Sequence, residues 1–233
     1  MKALIIIPCY NEEDTIASLC IEIRNKTNCD IIVINDCSTD KSKQILKENN
    51  IPHLNLPVNL GIGGAVQTGY RYALRNGYDI AIQIDGDGQH DPEWVNKLTE
   101  PIIQGNADLV IGSRYIDKTG FQSTKMRRFG IKLFEILIKI LTRKKITDAT
   151  SGFRAANQKA IKLFTIYYAI DYPEPESNSL AIRNKLRVKE IPVTMRERQG
   201  GVSSITPAKS VYYMFKVSLG IIISIIKPKI KMT

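Results

Sequence analysis

Asp79-Ile80-Ala81-Ile82-Gln83-Ile84-Asp85-Gly86-Asp87-Gly88-Gln89-His90 is a largely apolar run that stops on two aspartates one residue apart. The β-branched residues predict a strand over Asp79 to Ile84, and the Asp-Gly-Asp-Gly that follows predicts a turn at its C-terminal end. Two neighbouring carboxylates at the end of a buried strand are costly for the protein alone to neutralise. Hard divalent cations take oxygen ligands and share them with substrate phosphates, so Asp85 and Asp87 are read as a site for Mg²⁺ or Mn²⁺ with a diphosphate. A solvated Asp-Gly turn is the competing reading.

Outward from this strand, Ala3 to Ile7, Asp30 to Asn35 and Asp108 to Ile111 are similar short apolar runs. Helical stretches separate them: Glu12 to Lys26, Lys41 to Asn49, Val66 to Arg75 after a glycine-rich turn, and a helix opening at Pro92. The alternation predicts an α/β fold, a mainly parallel central sheet flanked by helices. One catalytic domain over residues 1–205 and a C-terminal segment over 206–233 is the expected division.

The chain has 233 residues and a formal charge of +10, so it should meet something anionic. Cations crowd Lys125 to Lys145, Arg183 to Arg198 and Lys209 to Lys231, which places that partner at the C-terminal half. Cys9, Cys20, Cys29 and Cys37 show neither a CxxC pair nor zinc-finger spacing, and are expected to be reduced, mostly buried thiols of a cytosolic protein. The apolar run at Met1 to Pro8 is too short for a signal peptide.

Two later segments are amphipathic. Arg128, Lys132, Glu135, Lys139 and Arg143 recur at helical spacing among Phe129, Leu133, Phe134, Ile136, Leu137, Ile140 and Leu141. Val211 to Ile226 is flanked by lysines, and its longest uncharged stretch is Val217 to Ile226. A span takes roughly 20 apolar residues, so both segments should lie on a membrane or pack internally.

The remaining motifs fall at strand ends and helix starts, where open α/β sheets bind nucleotides. They are Pro8-Cys9-Tyr10-Asn11-Glu12, Asn35-Asp36-Cys37-Ser38-Thr39-Asp40, Asn59-Leu60-Gly61-Ile62-Gly63-Gly64-Ala65, Gly112-Ser113-Arg114-Tyr115 and Ser151-Gly152-Phe153-Arg154. With Asp85 to His90 they stand in the order found in family 2 glycosyltransferases of GT-A fold. From Ala3 to about Ser204 the chain resembles the polyprenyl-phosphate sugar synthases of that family, typified by dolichyl-phosphate mannose synthase.

The resemblance implies an inverting glycosyltransferase that takes a UDP- or GDP-sugar and works as a peripheral protein on the cytoplasmic face of the membrane. Pro8, Tyr10, Asn11, Glu12, Asp36, Gly61, Gly63, Gly64 and Asp85 would then bind the nucleotide-sugar. Asp85, Asp87 and Gln89 would hold the metal and diphosphate, with Asp87 the direct ligand, while His90 would be a structural hydrogen-bonder. Arg114, Arg128, Arg154 and Arg198 would bind the acceptor, since guanidinium suits phosphate through paired donors. Two departures bear on that acceptor: Lys132 replaces the family's serine, and Ser204 replaces the lysine of its G-x-S-K segment.

Asp171-Tyr172-Pro173-Glu174-Pro175-Glu176-Ser177 stands where relatives carry an acidic residue facing the acceptor. A phosphate nucleophile needs no base, whereas a sugar hydroxyl does, and Glu174 or Glu176 would supply it. Polyprenyl phosphate and a lipid-linked saccharide are thus both open as acceptors. A nucleotidyltransferase would instead open with a glycine-rich, arginine-containing loop, and a non-catalytic membrane module would leave Asp85 and Asp87 without purpose. An anionic membrane surface is the other expected partner. A small membrane protein or a second copy of the chain is also open, and nucleic acid is not expected.

Overall fold

The computed structural model describes residues 1–117, 125–197 and 207–226. Arg198 and Gly201 to Ser204 lie outside the described residues. Among the described residues seven strands form one sheet: β1 (Ala3–Cys9), β2 (Asp30–Asn35), β3 (His53–Asn55), β4 (Ile80–Gln83), β5 (Leu109–Ser113), β6 (Arg154–Asn157) and β7 (Val188–Pro192). Their order is β3-β2-β1-β4-β6-β5-β7, and β6 alone runs against its neighbours.

Among the described residues eight α-helices accompany them: α1 (Ile16–Lys26), α2 (Ser42–Glu48), α3 (Gly61–Arg75), α4 (Val95–Ile103), α5 (Lys125–Thr142), α6 (Gln158–Ile166), α7 (Pro173–Arg183) and α8 (Pro207–Ile226). Helices cover both faces, so the central strands are apolar throughout rather than alternating. Leu4, Ile6, Ile32 and Ile34 join the core shared with α3, α6 and α7. Ile5, Ile7, Ile31 and Val33 face α1 and α4. Each of these eight side chains is buried; at about 1.5–3 kcal/mol apiece they supply much of the drive to form the sheet.

Three strands go beyond the sequence expectation. β3 and β7 are short and only partly buried, and β6 is Arg-Ala-Ala-Asn, which has no β-branched residue. Small residues suit β6 because it is inserted between β4 and β5. Helix limits also differ. α1 starts at Ile16 rather than Glu12, and α3 starts at Gly61 because the glycines form its first turn.

A staple closes the far end of the sheet. Asp108 accepts hydrogen bonds from Arg187 N, Nε and Nη2 at 2.8, 3.0 and 2.9 Å, and from Asn157 Nδ2 at 2.9 Å. It ties the starts of β5 and β7 to the end of β6. Arg187 in return holds its carboxyl down to about 2.

α8 packs on α5 and α7 and buries Val217, Ile221 and Ser224, two of which join the main core. Its other face exposes Tyr212, Phe215, Leu219, Ile222, Ile223 and Ile226. On the adjoining α5, Phe134 and Ile138 are buried, while Phe129, Leu133, Ile136 and Ile140 face outward. No helix among the described residues is long and apolar enough to cross a membrane.

Candidate active site

The loops that follow β1, β2 and β4 gather at one edge of the sheet because the three strands are parallel and adjacent. Beyond β4, the Asp85 N–H donates to His90 Nδ1 at 3.0 Å, and the His90 ring stacks on Phe153 at 4.9 Å. Nδ1 is thus the acceptor in that bond, and the other ring nitrogen, Nε2, lies 3.8 Å from Asp85 Oδ2. The Asp85 carboxylate accepts from Gln83 Nε2 at 3.0 Å and remains partly exposed. Asp87 is buried and accepts the Gln89 N–H at 3.1 Å. Gln89 Nε2 donates to the Arg196 carbonyl at 3.5 Å, so this side chain turns toward the segment after β7.

Gly152, of Ser151-Gly152-Phe153-Arg154, lies directly against Asp85. A Cβ there would meet Asp85 Oδ2 at 2.7 Å and Gln83 Nε2 at 2.9 Å. The loop into β6 therefore presses backbone onto the carboxylate and sets where it points.

The β1 and β2 loops form a second wall. Asn11, at φ 56°, accepts the Thr39 N–H on Oδ1 at 2.8 Å, and the Glu12 N–H donates to Ser42 Oγ at 2.9 Å. The Pro8 carbonyl backs onto Gly86, and Tyr10 is exposed beside them. Asp36 Oδ1 accepts the Leu60 N–H at 2.7 Å and so holds the glycine-rich segment; burial pushes its carboxyl up against the pull of the Leu60 and Gly61 N–H groups. Gly63 is required by a chain-to-chain approach, since a Cβ there would lie 1.9 Å from the Ala169 carbonyl oxygen, and its N–H donates to Ile170 O at 2.9 Å. The first turn of α3 is thereby seated on residues 169–171.

Glu174 and Glu176 occupy different environments. Glu174 is buried near Asp85 and Arg154; burial raises its carboxyl, Arg154 opposes the rise and Asp85 adds to it. Glu176 accepts from Tyr167 Oη at 2.6 Å, and its other oxygen lies against α8 at Gly220. Arg154 is fully buried, donates to Ser177 Oγ and the Ser151 carbonyl, each at 2.7 Å, and exerts its charge inward on Glu174 and Tyr168.

Arg114 is buried, near enough to Asp85 to feel its charge, and locked to Asp148: Nε and Nη2 each donate at 2.7 Å. Arg128 stands exposed on α5, and Lys132 pairs with Glu135 at 2.8 Å. The structure thus gathers Asp85, Glu174, Arg154 and Arg114 into one neighbourhood. Arg128 is on an outer helix surface.

Sequence reading missed Gln83, Asp148 and Glu190. Gln83 did carry a signal, as the polar residue inside an apolar strand; Asp148 and Glu190 carried none. The cysteines are free, but Cys37 is exposed and Cys29 half-buried, which corrects the expectation of mostly buried thiols. Burial pushes the Cys9 and Cys20 thiols up to about 12, so both are neutral at pH 7.

A family model described as glycosyl transferase family 2 matches residues 4–164. A UDP-N-acetylglucosamine–dolichyl-phosphate N-acetylglucosaminyltransferase of Methanococcus voltae is 30% identical over 209 residues, covering 81% of this chain and 83% of the relative. A polyprenol monophosphomannose synthase of Mycolicibacterium smegmatis is 28% identical over 229 residues, covering 93% of this chain and 86% of its own. Among solved structures, glucosyl-3-phosphoglycerate synthase from Mycobacterium tuberculosis, in complex with Mn²⁺, uridine diphosphate and glucosyl-3-phosphoglycerate, aligns with a TM-score of 0.76 at 19% identity. That alignment covers 97% of this chain and 81% of the other, and it establishes the GT-A architecture.

Proposed function

This chain belongs to glycosyl transferase family 2, and on that premise we propose that it moves a sugar from a UDP- or GDP-sugar to polyprenyl phosphate, inverting the anomeric centre, at the cytoplasmic membrane face. The observation that carries the acceptor reading is that the buried Arg114 guanidinium lies within electrostatic range of Asp85. A guanidinium suits phosphate, and the charge of this one reaches the carboxylate proposed to face the donor's diphosphate. One relative named for transfer to dolichyl phosphate and one named for the synthesis of polyprenol monophosphomannose, both matching along most of the chain, support the same choice.

Asp85 and Asp87 fit a hard divalent cation by the chemistry of their donors. Among the described residues no group of three or more His, Cys, Asp or Glu side chains could hold a metal by itself. Two carboxylates are enough for Mg²⁺ or Mn²⁺, because phosphate oxygens and water complete the shell. Such an ion, when bound, offsets the charge that develops on the departing diphosphate.

The protein's part is then positioning. The β1 and β2 loops, with Asp36 and the first turn of α3, hold the nucleotide, and Gly152 sets the Asp85 carboxylate. An acceptor phosphate is already ionised. Its oxygen forms the new bond to the anomeric carbon from the face opposite the diphosphate, whose bond to the sugar breaks with the electron pair leaving on phosphate oxygen. No base is needed.

A second reading, transfer to a hydroxyl of a lipid-linked saccharide, is favoured by Glu174. Its raised, buried carboxyl beside Asp85 has the character of a general base. Glu176, turned to Tyr167 and α8, does not share that setting. Attachment to an anionic membrane would use the outward apolar rows of α5 and α8 with Arg128 and Lys139, so that α8 serves both core and membrane.

The deciding experiment offers labelled UDP- and GDP-sugars, with Mn²⁺, Mg²⁺ or EDTA, to polyprenyl phosphate and separately to a polyprenyl-diphosphate saccharide. Metal-dependent product on polyprenyl phosphate is expected. Product on the saccharide alone transfers the assignment to the second reading, and product on neither overturns both.

A further inference from the structure

Arg114 sits at the end of a chain of hydrogen bonds that starts on a different strand. Glu190 of β7 pairs in register with Ile111 of β5 and turns its carboxylate to the segment before β6. There it accepts the Thr147 N–H at 2.8 Å, Thr147 Oγ1 at 3.0 Å and the Asp148 N–H at 2.9 Å. Asp148, fully buried, accepts the Arg114 backbone N–H at 3.1 Å as well as Nε and Nη2. Thr150 Oγ1 receives Nη2 at 3.0 Å, and Ser113 Oγ bonds Thr147 Oγ1 at 2.8 Å.

This arrangement is more than an ion pair. A guanidinium held only at its tip keeps the freedom of its long stem, whereas one gripped through its backbone N–H, Nε and Nη2 by a single carboxylate has a fixed plane. The carboxylate is itself fixed, because the backbone presenting it hangs on Glu190. The buried pair of Asp148 and Arg114, backed by the half-buried Glu190, would be an inefficient way to stabilise the fold alone, since desolvating charges offsets much of their attraction.

Resting on the function proposed above, we infer that Asp148 and Glu190 are positioning residues for transfer. They aim the Arg114 guanidinium at the acceptor phosphate beside Asp85. Glu190 fixes the Thr147–Asp148 backbone, Asp148 fixes the plane of Arg114, and the guanidinium meets the phosphate without reorganising. Misplacing such a group by about 1 Å costs on the order of 10²-fold in rate.

The test uses the full-length chain with Asp148→Asn, Glu190→Gln, Arg114→Gln and the two double variants that include Arg114→Gln. The expected results are an acceptor KM raised about 10-fold or more in Asp148→Asn, a smaller rise in Glu190→Gln, and unchanged nucleotide affinity by calorimetry. Neither substitution should add to the defect of Arg114→Gln, because each acts through that side chain. Additive losses, or equal losses in donor and acceptor affinity, would assign both residues to structure and overturn the inference.

A second readout needs no activity: the Arg114 Nε–H resonance, identified by its loss in Arg114→Gln, should shift or broaden in both acidic variants. If the unmodified protein transfers to neither acceptor, the proposed function fails, and the resonance then decides alone. An unchanged signal in both variants overturns the inference.

Discussion

Gly152 and Asp85 are packed so closely that a single methyl group on residue 152 would lie 2.7 Å from the Asp85 carboxylate. The glycine of the segment before β6 is thus a spatial requirement of the residue after β4. Asp85 cannot keep its place if that position carries a side chain.

Gly152→Ala should therefore lower kcat/KM by about 10²-fold, the scale of a displacement of about 1 Å in a reacting constellation. The fold should survive with a loss of about 1–3 kcal/mol, as for other overpacked sites. Steady-state kinetics beside urea unfolding separates the two effects. An active enzyme with weakened stability would show that Asp85 needs no such constraint.

Asp87→Asn should reduce transfer by at least about 10²-fold with little change in melting temperature, because its charge serves a cation and a diphosphate. EDTA should have the same effect on the unmodified protein, reversed by Mn²⁺ or Mg²⁺. Full activity in EDTA would remove the metal from the proposal.

Glu174→Gln and Glu176→Gln should separate by acceptor. With polyprenyl phosphate neither should matter chemically. With a saccharide hydroxyl, Glu174→Gln should lower kcat by roughly 10²–10⁴ while donor affinity holds. Glu176→Gln should act mainly on stability, through Tyr167. Equal kinetic losses in the two variants would contradict the separate environments of the two carboxylates.

The Asp108–Arg187 staple gives a pH dependence. Asp108 is held at about 2 in the folded protein, below its usual range near 4, so its contribution is complete above that range and is lost as pH falls through about 2. Asp108→Asn should cost about 2 kcal/mol at pH 7. Urea unfolding at pH 7, 4 and 2.5 should show the gap to the unmodified protein narrowing with acidity. A gap that stays constant would mean the pair does not titrate with folding.

Phe129, Ile140, Phe215 and Ile226 are each at least 66% exposed, an unusual load of apolar surface for two adjoining helices. Flotation with anionic liposomes should carry the protein, and Phe129→Ser with Phe215→Ser should reduce the bound fraction several-fold. Binding indifferent to both changes would place membrane contact elsewhere.

β1, β2, β4 and β5 could be read from the chain because a strand buried on both faces must be apolar along its length. The ordered motifs at their ends could be read because loops after parallel strands converge. Periodicity also marked α5 and α8 as amphipathic, though it could not say how each face is used. Other features depend on partners distant in sequence. β6 has no strand signature of its own and exists because β4 and β5 pair with it. The separation of Glu174 from Glu176 depends on which is covered by Asp85 and Arg154 and which by Tyr167 and α8. Arg114 reads as a phosphate ligand in sequence, but its aim is set by Asp148, 34 residues away, and by Glu190 beyond it. Local pattern records what a segment must bury; only the folded chain decides which charges meet, because hydrogen bonds and ion pairs act over a few ångströms between residues that sequence holds far apart.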